Sequence, residues 1–114
     1  MSDYKDIVLS NGVKMPPIVE KTNWMDYPLM KQQVTAGLKV GFRAFDTARD
    51  YGNEPVVGQV MKECLPEQGL KREDVFITTK IGNGQQKLGN IEEQVDISLK
   101  NLQTDYIDLW MMHW

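Results

Sequence analysis

Gly41-Phe42-Arg43-Ala44-Phe45-Asp46-Thr47-Ala48-Arg49-Asp50-Tyr51-Gly52-Asn53-Glu54-Pro55 contains the joint of a βα unit. Gly41 stands where a preceding helix would close in the left-handed conformation, and Phe42–Asp46 is a short, mostly apolar run suited to a strand. Asn53, Glu54 and Pro55 are residue types that open a helix. On the N-terminal side, Pro28 suits a first helical turn, and Met30, Val34 and Leu38 recur every four residues, which predicts a helix from Pro28 to Val40. On the C-terminal side, Val57, Val60, Met61 and Cys64 give a second helix its buried face, with Pro66 expected to end it. Val75-Phe76-Ile77-Thr78-Thr79-Lys80 is rich in β-branched residues and reads as a strand. Gly82 to Gly89 reads as a loop. Asn90 with Glu93 approximates a capping box, Ile91, Val95, Leu99 and Leu102 mark one face of a third helix, and Tyr106–His113 is the last strand. Before all of these lie Ile18–Asn23, a short first strand, and Ile7–Met15, whose Asn11-Gly12 predicts an antiparallel hairpin because both residues tolerate positive φ.

Strands alternating with helices imply a parallel sheet with right-handed crossovers. The predicted strand ends, Asp46, Lys80 and His113, are 34 and 33 residues apart. That regular step is the length of a βα repeat, and an eight-stranded βα barrel takes about 250 residues. A chain of 114 residues is therefore expected to be α/β, a (βα)4-like half of such a barrel with a leading β-hairpin. It would form a single domain over 1–114 that is truncated relative to a closed barrel. Four strands do not close, so the first and last would be open edges, and self-association through them is a further expectation.

Composition narrows the partners. With 13 Lys+Arg against 16 Asp+Glu, a net charge of −3 and 41% apolar residues, the chain is neither a disordered segment nor a basic nucleic-acid binder. One cysteine, Cys64, excludes an intrachain disulfide and any multi-thiolate metal site. The N-terminus has no apolar signal core, and Leu109-Trp110-Met111-Met112 is too short to span a bilayer. No nucleic acid, no membrane, no metal and a cytoplasmic location are the resulting expectations.

In a parallel α/β sheet, reactive groups gather at the carboxyl ends of the strands. Asp46, Tyr51, Lys80 and His113 fall there, the last being the only histidine. A phenol is a weak acid at neutral pH, and an ammonium nearby would favour its phenolate and lower its pKa. Lys80 supplies the ammonium, Asp46 pairs with it, and His113 can bond a carbonyl oxygen or relay a proton. Such a set delivers a proton to oxygen; the hydride that would complete a carbonyl reduction must come from a cofactor, for which nicotinamide is the simplest choice.

The stretch Gly41–Glu54 closely resembles the aldo-keto reductase signature around the second barrel strand. Lys71–Lys80 is similar to the family's third-strand segment, and Ser98-Leu99-Lys100-Asn101-Leu102-Gln103-Thr104-Asp105-Tyr106-Ile107-Asp108-Leu109 to His113 to its fourth. The resemblance runs in order over nearly the whole chain. It implies the N-terminal half of a TIM barrel that reduces aldehydes and ketones with NADPH, or less often NADH. Tyr51 would be the general acid, Lys80 and Asp46 its tuning pair, and His113 the residue that orients the small-molecule carbonyl substrate. Thr22, Asn23 and Asp46 would contact the cofactor, and Trp24 or Trp114 would wall the substrate pocket. Where members carry Gly-x-Gly-Thr, this chain has Val19-Glu20-Lys21-Thr22. A truncated fragment or pseudoenzyme without activity is the alternative.

Taken singly, the same residues have ordinary structural readings: Asp46 and Lys80 as an ion pair, Tyr51 as a rim aromatic, His113 as a satisfied core or loop side chain. Gly82-Asn83-Gly84 lacks the Gly-x-Gly-x-x-Gly and Walker patterns and reads as a loop. The methionines read as core filler and Cys64 as an inert helix-face residue. Glu92-Glu93 reads as complementing a helix N-terminus.

Overall fold

The computed structural model describes residues 5–86 and 90–113. A hairpin of β1 (Ile7–Val8) and β2 (Lys14–Met15) leads into β3 (Glu20–Lys21), α1 (Tyr27–Val40), β4 (Ala44–Asp46), α2 (Glu54–Glu67) and β5 (Phe76–Ile81). The short turn α3 (Asn83–Gln86), then α4 (Ile91–Leu102) and β6 (Leu109–Met112), complete the order. The hairpin is antiparallel, and β3-β4-β5-β6 form one parallel sheet in sequence order.

Local chemistry explains the boundaries. Asp26 caps α1 by accepting from Leu29 N at 3.2 Å, and Gly41, at φ 106°, closes it in the conformation a side chain resists. Pro66 does not end α2, which runs on to Glu67: so close to the C-terminus, proline removes only the bond its own nitrogen would have donated. The 82–89 loop contains the turn α3, and its residues 87–89 lie outside the described residues. The last strand is shorter at its start than expected. Asp108 is drawn out of the ladder, accepting from Ile77 N and from Arg72 Nη2, both at 2.8 Å.

The helices lie on one face of the sheet. Phe45 and Ile77 point into a core built from Met30, Val34 and Leu38 of α1 and Val57, Val60 and Cys64 of α2, each such burial worth about 1.5–3 kcal/mol for the larger side chains. At the surface, Glu63 staples α2 to α1. Its bond from Lys31 at 2.9 Å, with a second from Tyr27, holds its carboxyl down to about 2. The fourth helical segment departs from expectation: of Ile91, Val95, Leu99 and Leu102 only Leu102 is buried, while Gln94 and Ser98 are. The reason is polar, because α4 rests on the carboxylate of Glu54.

Among the described residues, no helix lies on the opposite face of the sheet. Lys21, Asp46, Thr78 and Leu109 lie in one cross-strand row, and Lys80 pairs with Met111 in the next layer of the same face. Met15, Val19, Lys21, Asp46, Thr78, Leu109 and Met111 line an open cleft of about 170 Å³ there. A parallel sheet covered on one side only is a segment of a βα barrel, not a doubly wound sheet, whose helices cover both faces. Among the described residues no helix is long and apolar enough to cross a membrane, and no three His, Cys, Asp or Glu side chains are grouped to hold a metal.

Candidate active site

The carboxyl ends of β3, β4, β5 and β6 converge because backbone and side-chain bonds tie them together. Thr22 gives both its N–H (3.1 Å) and its hydroxyl (2.8 Å) to Asp46 O, and Thr47 N donates to Thr78 O at 2.9 Å. His113 N donates to Ile81 O at 2.9 Å, which carries the ladder one residue past β6. Asn53 joins the first two ends: its Nδ2 donates to Thr22 O at 2.6 Å, and its Oδ1 accepts from Thr47 Oγ1 at 3.0 Å. The sequence marks Asn53 only as a helix opener, yet its side chain does no capping.

Three of the four expected reactive residues surround the fourth. Lys80 Nζ lies 2.7 Å from Asp46 Oδ1 and 2.8 Å from Thr47 O, and 5.4 Å from the centre of the Tyr51 ring. His113 meets Tyr51 edge to face, with 5.7 Å between centroids and 84° between planes. Trp24 completes the rim at 5.4 Å from Tyr51. Trp24 is 70% exposed and has φ 61°, a left-handed backbone that costs a non-glycine residue about 1 kcal/mol or more. Burial pushes the Tyr51 phenol above its usual value near 10, the charge of Asp46 adds to that, and Lys21 works against it. The expected lowering by Lys80 is not found. Its ammonium is shared between Asp46 and Thr47 O and sits over the ring. The phenol therefore keeps its proton at neutral pH.

Of the other expected residues, Thr22 is 1% exposed with its hydroxyl committed to Asp46, and Asn23 is half-buried beside Trp24 in the chain. Trp114 lies outside the described residues. Lys21, which with Val19 stands where the resemblance calls for glycine, shares the inner face with Asp46.

The residues that support the Tyr51 turn from behind went unread in the sequence. Tyr51 sits in a helical turn, Arg49–Tyr51, and Arg49 Nη1 donates to Gln94 O at 3.2 Å while its Nε lies 3.6 Å from Glu54 Oε1. Glu54 is 2% exposed and accepts from Thr79 Oγ1 (2.6 Å), Asn101 Nδ2 (3.1 Å) and Ser98 Oγ (3.3 Å). One buried carboxylate thus ties the Tyr51 turn to the residue beside Lys80 and to α4. A buried charge with this many partners is tolerated where a lone one is not.

A phenol, an ammonium–carboxylate pair and an imidazole thus meet at the strand ends of a parallel βα sheet that is part of a barrel. The Aldo/keto reductase family model matches residues 12–114, and the chain belongs to that family. It is 42% identical to D/L-glyceraldehyde reductase of Hypocrea jecorina, over 100% of this chain and 35% of that protein. It is 36% identical to the NAD(P)H-dependent D-xylose reductase of Scheffersomyces stipitis, over 94% of this chain and 34% of the relative. Among solved structures, the aldose reductase from Schistosoma japonicum superposes with a TM-score of 0.90 at 32% identity, over 96% of this chain and 36% of that one. The Bombyx mori aldo-keto reductase in complex with NADP gives 0.88 at 30% identity, over 97% and 38%. The chain thus spans about a third of the length of the relatives it matches, and its fold is the N-terminal part of their TIM barrel.

Proposed function

We propose that this chain carries the proton-donating site of an NAD(P)H-dependent carbonyl reductase, acting on small aldehydes of the glyceraldehyde and aldose class. The observation that carries the reading is the meeting of Lys80, Asp46, His113 and Tyr51 at one end of the sheet. A reduced nicotinamide, when bound, supplies the hydride that no side chain can. The donor set fits such a group: it holds a proton and a charge pair but no redox centre of its own. Asn23 and Asp46 would hold it, with Thr22, buried and bonded to Asp46 O, fixing the strand end beneath them and Trp24 as a wall for the substrate. Tyr51 gives its phenolic proton to the carbonyl oxygen as that oxygen gains negative charge, so the O–H bond of Tyr51 breaks and that of the alcohol forms. Lys80, bonded to Asp46 and 5.4 Å from the centre of the Tyr51 ring, is the ammonium nearest the phenol, and Asp46 and Thr47 O fix its position. His113 orients the substrate oxygen.

The test is a titration of the 114-residue chain with NADPH, and separately NADH, followed by quenching of tryptophan fluorescence and by consumption of the cofactor with glyceraldehyde. Saturable binding and turnover are expected, with Tyr51→Phe abolishing turnover and leaving binding intact; turnover that survives in Tyr51→Phe would remove its role. Absence of binding would favour the second reading, an inherited site not exercised by this chain alone, which Lys21 on the inner face supports. Self-association through the open edges of β3 and β6 belongs to either reading.

A further inference from the structure

Tyr51 ends a three-residue turn, Arg49–Tyr51, closed by bonds from Tyr51 N to Ala48 O (3.2 Å) and from Gly52 N to Arg49 O (3.1 Å) and left through Gly52 at φ 68°. A turn this short has no core of its own. Yet a reacting side chain works only when it is held to within about 0.5 Å of its place, and its neighbour Lys80 stands on a different element. What holds the turn lies on the helix side of the sheet. Arg49 begins the turn and Glu54 opens α2 just after it, and their side chains meet, Nε to Oε1 at 3.6 Å. The pair staples together the two ends of the segment that carries Tyr51. Arg49 also gives an Nη1 hydrogen to Gln94 O at 3.2 Å, which anchors the staple to α4. The second oxygen of Glu54 accepts from Thr79 Oγ1 at 2.6 Å. Side chains alternate along a strand, so Thr79 faces the helices while Lys80, the next residue, faces the site, where it holds Asp46 at 2.7 Å. A single carboxylate is thus one strand residue from the ammonium and one turn from the phenol.

We infer that the Arg49–Glu54 pair is a positioning device, which keeps the Tyr51 ring beneath the Lys80 ammonium and against His113 without itself touching substrate or cofactor. The catalytic meaning rests on the reductase reading, whereas the placement of the ring does not. Charge is what the device needs. Glutamine at position 54 keeps the shape and an acceptor for Thr79 but gives Arg49 no anion, so the turn loses its staple while the helix packing remains.

The experiment uses the 114-residue chain, isotopically labelled and free of cofactor, at neutral pH. Because His113 is the only histidine, its edge-to-face contact with Tyr51 gives ring-proton NOEs that are read without ambiguity on the histidine side, and Tyr51→Phe identifies the tyrosine. The parent is expected to show them. Arg49→Met and Glu54→Gln are each expected to lose most of that intensity in a chain whose backbone spectrum is otherwise native, and Arg49→Lys, which keeps the charge, to regain part of it. Lys31→Met, which removes an ion pair between α1 and α2 remote from the site, is expected to leave the NOEs intact whatever it costs in stability. NOEs undiminished in folded Arg49→Met, or absent from the parent, overturn the inference. If Glu54→Gln does not fold, Arg49→Met decides alone. The kinetic readout, with NADPH and glyceraldehyde, is a kcat lowered by up to about 100-fold with KM nearly unchanged; a raised KM at unchanged kcat overturns the inference too. A parent without turnover counts against the reductase reading of this chain and leaves the NOE result standing.

Discussion

Two glutamates show how much of this molecule is decided residue by residue. Glu54 is buried with four polar partners, whereas Glu20 has Oε2 buried against Gly37 with no hydrogen-bond partner among the described residues. Burial alone raises the Glu20 carboxyl from 4.5 to about 7. The folded state therefore binds this proton more tightly than the unfolded state. The stability it contributes is complete below about pH 4.5 and is lost as pH rises to about 7. Glu20→Gln, which cannot ionise, should unfold at higher urea than the parent at pH 8, by about 1–2 kcal/mol after discounting for partial exposure, and equal it at pH 4. A parent whose advantage grows with pH would show that Glu20 has a charged partner. Neither glutamate's role was visible in sequence. Glu54 looked like a first-turn acid and Glu20 like a strand residue, because partners 25 to 47 residues away leave no local pattern.

At the scale of elements, the periodic signals located all three long helices and the four parallel strands, and the Asn-Gly pair located the hairpin. They failed where a polar network outweighed hydrophobic spacing. The inner face of α4 belongs to Gln94, Ser98 and Asn101 because α2 presents the Glu54 carboxylate there. The same packing makes Gly58 informative. A Cβ on it would strike the backbone of α4, including Leu102 C and Cα at 2.8 and 2.9 Å. In an isolated helix, glycine to alanine stabilises by about 1 kcal/mol. Here overpacking against immovable backbone outweighs that gain, so Gly58→Ala should lower the unfolding free energy, by about 1–2 kcal/mol in urea. A gain in stability would mean that α2 and α4 separate freely.

For the whole molecule, the one-sided sheet is the governing fact. Its edges are β3 and β6, and Met112, which is paired with Ile81 and lies on the helix side, is 70% exposed. Unpaired edges and exposed apolar side chains favour association. Light scattering should give a mass above 13.1 kDa that rises over about a tenfold increase in concentration, and Met112→Lys should reduce it. A constant monomer mass would show that the edges are protected. What the sequence determined by itself is the order and spacing of the βα units and the identity of the residues at the strand ends, since periodicity, caps and turn chemistry act over a few residues. Only the tertiary structure decided that the Tyr51 phenol is raised rather than lowered and that Glu54 underpins its turn. Those outcomes depend on burial and on distances between segments 25 or more residues apart, and electrostatics in a partly dry site responds to geometry that no local pattern encodes.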